Sequence, residues 1–171
     1  MDPDAYLCQL AEIFNGISVN TPSLSAIIAI ILAGLLLLAS GFASASEIAF
    51  FSLSPSDLND IEEGNHPSDG KISNLLADSE RLLATILITN NFVNVTIIML
   101  CNFFFMNVFV FHSPLAEFLI LTVILTFLLL LFGEIMPKIY SAQKTLAFCR
   151  FSAPVIYVLR KVFAPISAVL V

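Results

Sequence analysis

The chain has 171 residues, of which 58% are apolar and only 12% are charged, and its mean hydropathy is +0.96. A soluble domain of this size is much less apolar, so the composition excludes an ordinary soluble protein and predicts an all-α membrane protein. The formal net charge of −6 says little about partners, because most of the chain is expected to lie in lipid.

Residues 1–22 are predicted to form an outer segment with one short helix. Apolar residues at helical spacing run from residue 4 to residue 17, too short a stretch to cross a bilayer. The start lacks the basic region and apolar stretch of a signal peptide, so we expect no cleaved leader. Ser23 is placed to cap the first membrane helix.

Residues 23–142 are predicted to form a transmembrane domain of three helices. Three apolar runs reach the roughly 20 residues that span a bilayer, namely Leu24 to Leu53, Leu82 to Phe111 and Leu115 to about Pro137. The acidic connection over residues 54–81 is expected to form two short helices around turns at His66-Pro67 and Asp69-Gly70, with its acids on a solvated face.

Proline shapes the last part of the chain. Pro137 lacks an N–H, so the third helix should kink or unwind ahead of it and free the carbonyls of Phe132 and Gly133. Residues 143–171 are predicted to form amphipathic juxtamembrane helices on the cytoplasmic face, broken by Pro154 and Pro165. The pattern stops abruptly at residue 171, so we expect a soluble continuation that is missing here.

The basic residues orient the domain in its membrane. All seven lie in the first connection or from the end of the third span onward: Lys71, Arg81, Lys138, Lys144, Arg150, Arg160 and Lys161. Cytoplasmic segments carry the excess of Lys and Arg, so the N-terminus should lie outside and the C-terminus in the cytoplasm. The predicted location is a membrane, as a multi-pass protein in contact with lipid.

The sequence indicates no enzyme. It contains no nucleophile–base pair and no phosphate-binding glycine loop, and we predict no nucleic-acid partner. The three cysteines, Cys8, Cys101 and Cys149, are far apart, which argues against a disulfide framework or a zinc site. Cys101 and Cys149 are predicted to be small apolar packing residues.

Each apolar run nevertheless carries a cluster of oxygen-bearing residues, namely ASASE (43–47), NNFVN (90–94) and GEIMPK (133–138). Polar side chains inside a membrane span are costly and usually face a partner or a water-filled cavity. Counted from the cytoplasmic end of each span, Ser44, Asn90 and Glu134 lie eight to ten residues in, or roughly 12–15 Å deep. Their common depth predicts one shared site.

The residue types at this site predict a hard cation. Asn90 and Asn94 are four residues apart and share a helix face, whereas Asn91 points about 100° away. Gly133 has no side chain to block an ion, and Glu134 supplies a carboxylate. With a hydroxyl and a backbone carbonyl the set has about five oxygens, close to the octahedral demand of Mg²⁺, although Na⁺ also fits this ligand type.

The same residues could instead have purely structural roles. Asn and Ser hold membrane helices together by hydrogen bonds, ASASE also suits a small-residue packing face, and Glu134 could pair with Lys138. The rival functions are therefore a non-transporting scaffold and a Na⁺- or H⁺-coupled regulator without net Mg²⁺ flux.

The stretches FASASEIAFFSLSPSDL, LLATILITNNFVN and FGEIMPK, in this order, closely resemble the transmembrane domain of the CorC/CNNM family. The resemblance covers nearly the whole chain from about Ser25 onward. It implies a protein that transports Mg²⁺. In this family the transport is usually efflux of Mg²⁺, with Na⁺ as the proposed counter-ion. It also implies a homodimer with three membrane helices per subunit, and juxtamembrane helices that precede cytoplasmic CBS domains binding a nucleotide such as ATP.

The resemblance further implies ligands for Mg²⁺, at Ser44, Asn90, Asn94, Gly133 and Glu134. A surrounding second set would comprise Ser46, Glu47, Asn91, Pro137 and Lys138. Thr89 departs from the family pattern, since relatives often have glycine there, and a larger residue narrows the helix contact. Some relatives are labelled gliding-motility-associated, so the alternative function is a membrane scaffold or assembly factor of a gliding or secretion machine.

Overall fold

A computed structural model describes residues 17–111 and 114–170. The elements in chain order are β1 (Ile17–Val19), α1 (Leu24–Phe51), α2 (Pro55–Glu62), α3 (Asp69–Leu76), α4 (Ser79–Val108), β2 (Phe109–Phe111), α5 (Pro114–Leu128), a π-helix (Leu129–Ile135), α6 (Met136–Gln143) and α7 (Thr145–Leu170). The short helix predicted over residues 4–17 lies outside the described residues apart from its last position, which is in β1, and so does Cys8.

Three helical stretches are long and apolar enough to cross a membrane. Among the described residues they are Leu24–Phe51, Ser79–Val108 and Glu117–Gln143. The third stretch runs through α5, the π-helix and α6 without a loop. The prediction of an all-α membrane protein with three membrane helices is confirmed. Ser23 caps α1 as predicted, because its side chain accepts a hydrogen bond from the N–H of Ala26 at 3.2 Å.

Two short strands join the outer ends of α1 and α4, which the sequence analysis did not predict. β1 and β2 pair antiparallel, with Ile17 opposite Phe111 and Val19 opposite Phe109. The N–H of Asn20 also donates to the carbonyl of Val108 at 2.7 Å. β-branched and aromatic residues favour such pairing, but the two strands are far apart in the chain, so no local pattern reveals their register.

The acidic connection folds into the two predicted short helices, α2 and α3. The turn expected at Asp69-Gly70 is wrong, because Asp69 opens α3. Asp69 is also not on a solvated face: it is 1% exposed, and both of its carboxylate oxygens accept hydrogen bonds from Arg150, at 2.8 and 3.1 Å. These hydrogen bonds outweigh the effect of burial and hold the pKa of Asp69 below its usual value.

The predicted breaks at Pro154 and Pro165 are wrong, because α7 is one continuous helix of 26 residues. A proline inside a helix removes one backbone hydrogen bond. Packing opposes that loss here, since Cys149, Ala153 and Ile156 are all fully buried in the inner apolar core. The prediction that Cys101 and Cys149 are buried packing residues is confirmed, and burial raises the pKa of the Cys149 thiol to about 12.

Two apolar cores hold the helices together at different depths. The inner core joins the C-terminal end of α1 and the N-terminal end of α4 to α2, α3 and α7, through Ala49, Phe50, Ile61, Ile72, Leu75, Leu82, Ile86, Cys149, Ala153 and Ile156. The second core joins α1, α4 and α5, through Ala33, Val93, Ile97, Cys101 and Leu125. Between Ala33 and Ala49, α1 buries a run of small and polar residues that belongs to neither core.

Candidate functional site

Ser40 joins α1 to α4 at the centre of this polar region. Its side chain is fully buried, and its Oγ lies 2.8 Å from Asn90 Oδ1 and 2.6 Å from Asn94 Oδ1. A serine hydroxyl carries a single hydrogen, so it can fully satisfy only one of the two amide oxygens. Three oxygens therefore converge around one hydrogen, an arrangement that favours a positive charge beside them.

The sequence analysis missed Ser40, although a signal was present. Ser40 lies four residues before Ser44, so the two share one face of α1. The ASASE cluster used in the sequence analysis begins at residue 43, so Ser40 lies just outside it. The structure does bring Asn90 and Asn94 together on one face of α4, one helical turn apart, against that face of α1.

Ser44 has an unused hydrogen-bonding group in the protein interior. The residue is fully buried, and its Oγ has no hydrogen-bond partner within residues 17–111 and 114–170. A buried hydroxyl left unpaired costs about 1–3 kcal/mol. Ser44 lies one turn of α1 from Ser40, so this oxygen is available next to the three that already converge.

The π-helix brings the backbone of the third span against the same site. A Cβ added to Gly133 would lie 3.2 Å from Ser40 Oγ and 3.5 Å from Leu37 Cδ1. The first of these contacts is tighter than a Cβ usually makes, so the absence of a side chain favours this close approach. Gly133 thus lies beside Ser40 at the polar cluster.

Pro137 explains why the helix is widened here. In the π-helix the N–H of Met136 donates to the carbonyl of Leu131, five residues back, and the next N–H is missing because residue 137 is proline. The carbonyl that would receive it in this pattern is that of Phe132. Its oxygen faces α1, 3.3 Å from the position of a Cβ on Gly41. The predicted opening ahead of Pro137 therefore takes the form of a π-helix.

Glu134 keeps its carboxylate free of other charges. The alternative in which Glu134 pairs with Lys138 is not what the structure shows, because Lys138 Nζ lies 3.1 Å from Glu47 Oε2 on α1. Glu134 is half-buried in the π-helix, and in the described part of the chain it has neither a hydrogen bond nor an ion pair. Among the described residues no hydrogen bond joins Glu134 to Ser40, whose hydroxyl donates to Asn90 and Asn94.

Two other residues of the predicted second set use their side chains in hydrogen bonds to the backbone of their own helices. Ser46 Oγ donates to the carbonyl of Phe42 at 2.7 Å, and Asn91 Nδ2 donates to the carbonyl of Leu87 at 3.0 Å. The structure does not bring either side chain to the cluster. Asn91 is exposed, as its position 100° from the shared face of Asn90 and Asn94 predicts.

The donor set points to one class of ion. Within the described ranges no three or more His, Cys, Asp or Glu side chains converge. The available atoms are hydroxyl, amide and carbonyl oxygens with one nearby carboxylate. Hard cations such as Mg²⁺ and Na⁺ prefer these ligands, whereas zinc and copper prefer nitrogen and sulfur.

Three membrane helices around a polar, oxygen-lined break define a multi-pass membrane domain with a buried polar site. The comparison with known families identifies which one: residues 30–171 match the cyclin M transmembrane N-terminal domain, so the chain belongs to the CNNM family. It is also 32% identical over 130 residues to a UPF0053 protein of Haemophilus influenzae. This alignment covers 76% of the chain but only 30% of that relative, so the chain spans less than a third of its length.

These findings confirm the resemblance and the multi-pass membrane location. Contact with lipid follows from the three spans, and the bacterial relative fits an inner-membrane protein.

Proposed function

We propose that this domain carries Mg²⁺ across the bacterial inner membrane, by binding a largely dehydrated ion between α1, α4 and the π-helix. The observation that supports the proposal best is the cluster of three oxygens around one hydrogen, with the unpaired hydroxyl of Ser44 one turn away. A cation satisfies all of these groups at once.

The proposed ligands are those predicted from the sequence, together with the hydroxyl of Ser40. Asn90 and Asn94 offer amide oxygens, Ser44 offers its unpaired hydroxyl, and Glu134 supplies the single carboxylate. Gly133 would supply its backbone carbonyl, and a Cβ added to this residue would lie only 3.2 Å from Ser40 Oγ. This gives about six oxygens, the number that octahedral Mg²⁺ requires.

The charge balance has a consequence for selectivity. One carboxylate neutralises Na⁺ but leaves Mg²⁺ with a net charge of +1, so Mg²⁺ must gain more from the neutral oxygens. Na⁺ should therefore compete measurably at this site, in keeping with a role as counter-ion. Efflux, coupling to Na⁺, a homodimer and nucleotide-binding CBS domains beyond residue 171 are further parts of this proposal.

The test is a calorimetric titration of the purified domain with Mg²⁺ at several Na⁺ concentrations. Saturable binding is expected in the wild type and should be lost in Glu134→Gln and Asn90→Ala. Asn91→Ala is the matched control for Asn90→Ala, since it removes a neighbouring amide that donates to the carbonyl of Leu87 within its own helix. Mg²⁺ affinity retained in Glu134→Gln would remove that residue from the site, and flux assays in proteoliposomes would follow a positive result.

A second function, the non-transporting scaffold of a gliding or secretion machine, has one observation in its favour. The hydrogen bonds of Ser40 to Asn90 and Asn94 are also the kind that hold membrane helices together. Under this reading Ser40→Ala should lower stability without changing any ion binding. A well-folded wild type that shows no saturable Mg²⁺ binding would favour the scaffold.

A further inference from the structure

A basic cavity lies where α7 passes the start of α4, on the predicted cytoplasmic side and well away from the polar cluster. Its volume is about 210 Å³, and it is lined by Asn74, Arg81, Tyr157, Arg160, Lys161 and Ala164. Three of these residues are basic and none is acidic. Water occupies about 30 Å³ per molecule in the liquid, so the cavity has room for a phosphate group and the atoms next to it.

The basic side chains are held in place by contacts with α3, with Asp78 at the start of α4 and with a ring on α7. Arg160 donates to the backbone carbonyl of Asn74 at 3.0 Å and to Asp78 Oδ2 at 3.3 Å. Arg81 Nε lies 3.4 Å from the same oxygen of Asp78. Lys161 Nζ lies 4.9 Å from the centre of the Tyr157 ring. One carboxylate is thus shared by two guanidinium groups, and with the lysine the group keeps a formal charge of +2.

The cavity lies at the height of lipid headgroups. Arg81 is in the first turn of α4, which crosses the membrane. On α7 the exposed apolar residues Phe151, Val155, Val158 and Val162 are spaced by four, three and four residues, so they form one stripe along the helix. A helix with such a stripe lies in the membrane surface, with its apolar side in the acyl chains.

We propose that this cavity binds the phosphate group of an anionic phospholipid, with the acyl chains lying along the apolar stripe of α7. Basic pockets next to membrane helices on the cytoplasmic side recognise lipid phosphates by charge and by charge-assisted hydrogen bonds. The free donors of Arg81 and Lys161 suit a phosphate diester. The proposal does not depend on Mg²⁺ binding, because no residue of the polar cluster lines this cavity.

The test is a titration of the purified chain with phosphatidylglycerol, followed by native mass spectrometry of the bound lipid. Each basic side chain near the membrane surface strengthens the binding of an anionic lipid, so removing one should weaken lipid binding about fivefold. The double variant Arg81→Gln/Lys161→Gln should therefore bind the lipid about 25-fold more weakly. The matched control is Lys71→Gln/Lys144→Gln, which removes the same charge from two exposed lysines outside the cavity. Lys161→Gln alone serves if the double variant misfolds.

Three outcomes decide the matter. Selective loss in the cavity variant, with the control close to wild type and no binding of phosphatidylcholine, supports the site. Equal weakening of both double variants would mean general attraction to a charged surface and would overturn it. Displacement of the lipid by millimolar inorganic phosphate would assign the cavity to a soluble phosphate compound instead and would overturn the lipid assignment.

Discussion

Replacing Ser44 by alanine should stabilise the ion-free domain, the reverse of what most buried substitutions do. The Oγ of Ser44 is buried without a partner in the described part of the chain. Removing it therefore removes an unmet desolvation penalty of about 1–3 kcal/mol. The side chain loses only one small atom, so little cavity is created. The free energy of unfolding, measured by SDS titration in mixed micelles without divalent ions, should rise by about that amount.

Mg²⁺ should reduce this advantage. A ligand at 100 times its Kd stabilises a protein by about 2.7 kcal/mol. If the loss of one hydroxyl ligand weakens binding about tenfold, the same concentration stabilises the variant by only about 1.4 kcal/mol. The gap between Ser44→Ala and wild type should therefore shrink by about 1.3 kcal/mol when Mg²⁺ is added.

Ser46→Ala is the matched control for this experiment. Ser46 lies two residues further along α1 and is equally buried, but its hydroxyl already donates to the carbonyl of Phe42. Its removal should lower stability by about 0.5–1.5 kcal/mol and leave the effect of Mg²⁺ unchanged. If Ser44→Ala loses as much stability as Ser46→Ala without Mg²⁺, the Ser44 hydroxyl has a partner and the reasoning is refuted.

Two further predictions concern packing and acid stability. Gly41→Ala would place a Cβ 2.9 Å from Cγ of the rigid Pro137 ring, and we expect a loss of about 1–3 kcal/mol in SDS unfolding. Gly34→Ala on the same helix meets no atom within 4 Å and should lose nothing, so equal losses would contradict this account. The hydrogen bonds from Arg150 lower the pKa of Asp69 below its unfolded value of about 3.9, so their stabilisation is complete above about pH 5 and is lost as the pH falls through the folded-state pKa. In Asp69→Asn the free energy of unfolding should fall less steeply as the pH is lowered below about 5. An unchanged pH dependence would count against the pairing of Asp69 with Arg150.

Local patterns were sufficient for the membrane helices and for much of the polar cluster. Hydropathy and length identify the three spans, because a bilayer imposes both on any helix that crosses it. The four-residue spacing of Asn90 and Asn94 places them on one face wherever the helix lies. Pro137 marks the break in the third span, since no tertiary contact can supply its missing N–H.

Features that depend on distant partners were not predictable. Lys138 has a carboxylate four residues before it in Glu134, but the structure pairs it with Glu47 from another helix. The sequence predicts a solvated face for Asp69, but in the structure Asp69 is bonded to Arg150, which lies 81 residues later in the chain. The spacing of Ser40 from Ser44 places it on the same face of α1, but its hydrogen bonds to Asn90 and Asn94 depend on the position of α4 beside α1.

The pairing of β1 with β2 links the start of α1 to the end of α4. β1 and β2 tie the outer ends of α1 and α4 together, and the inner apolar core joins their cytoplasmic ends. These two helices therefore form a fixed frame that carries the hydroxyl and amide oxygens. Under the proposed function, the third span, with its irregular backbone at Glu134, is the part that moves relative to this frame. Withdrawal of its carboxylate would then leave the bound cation with neutral ligands alone, and the ion would be released.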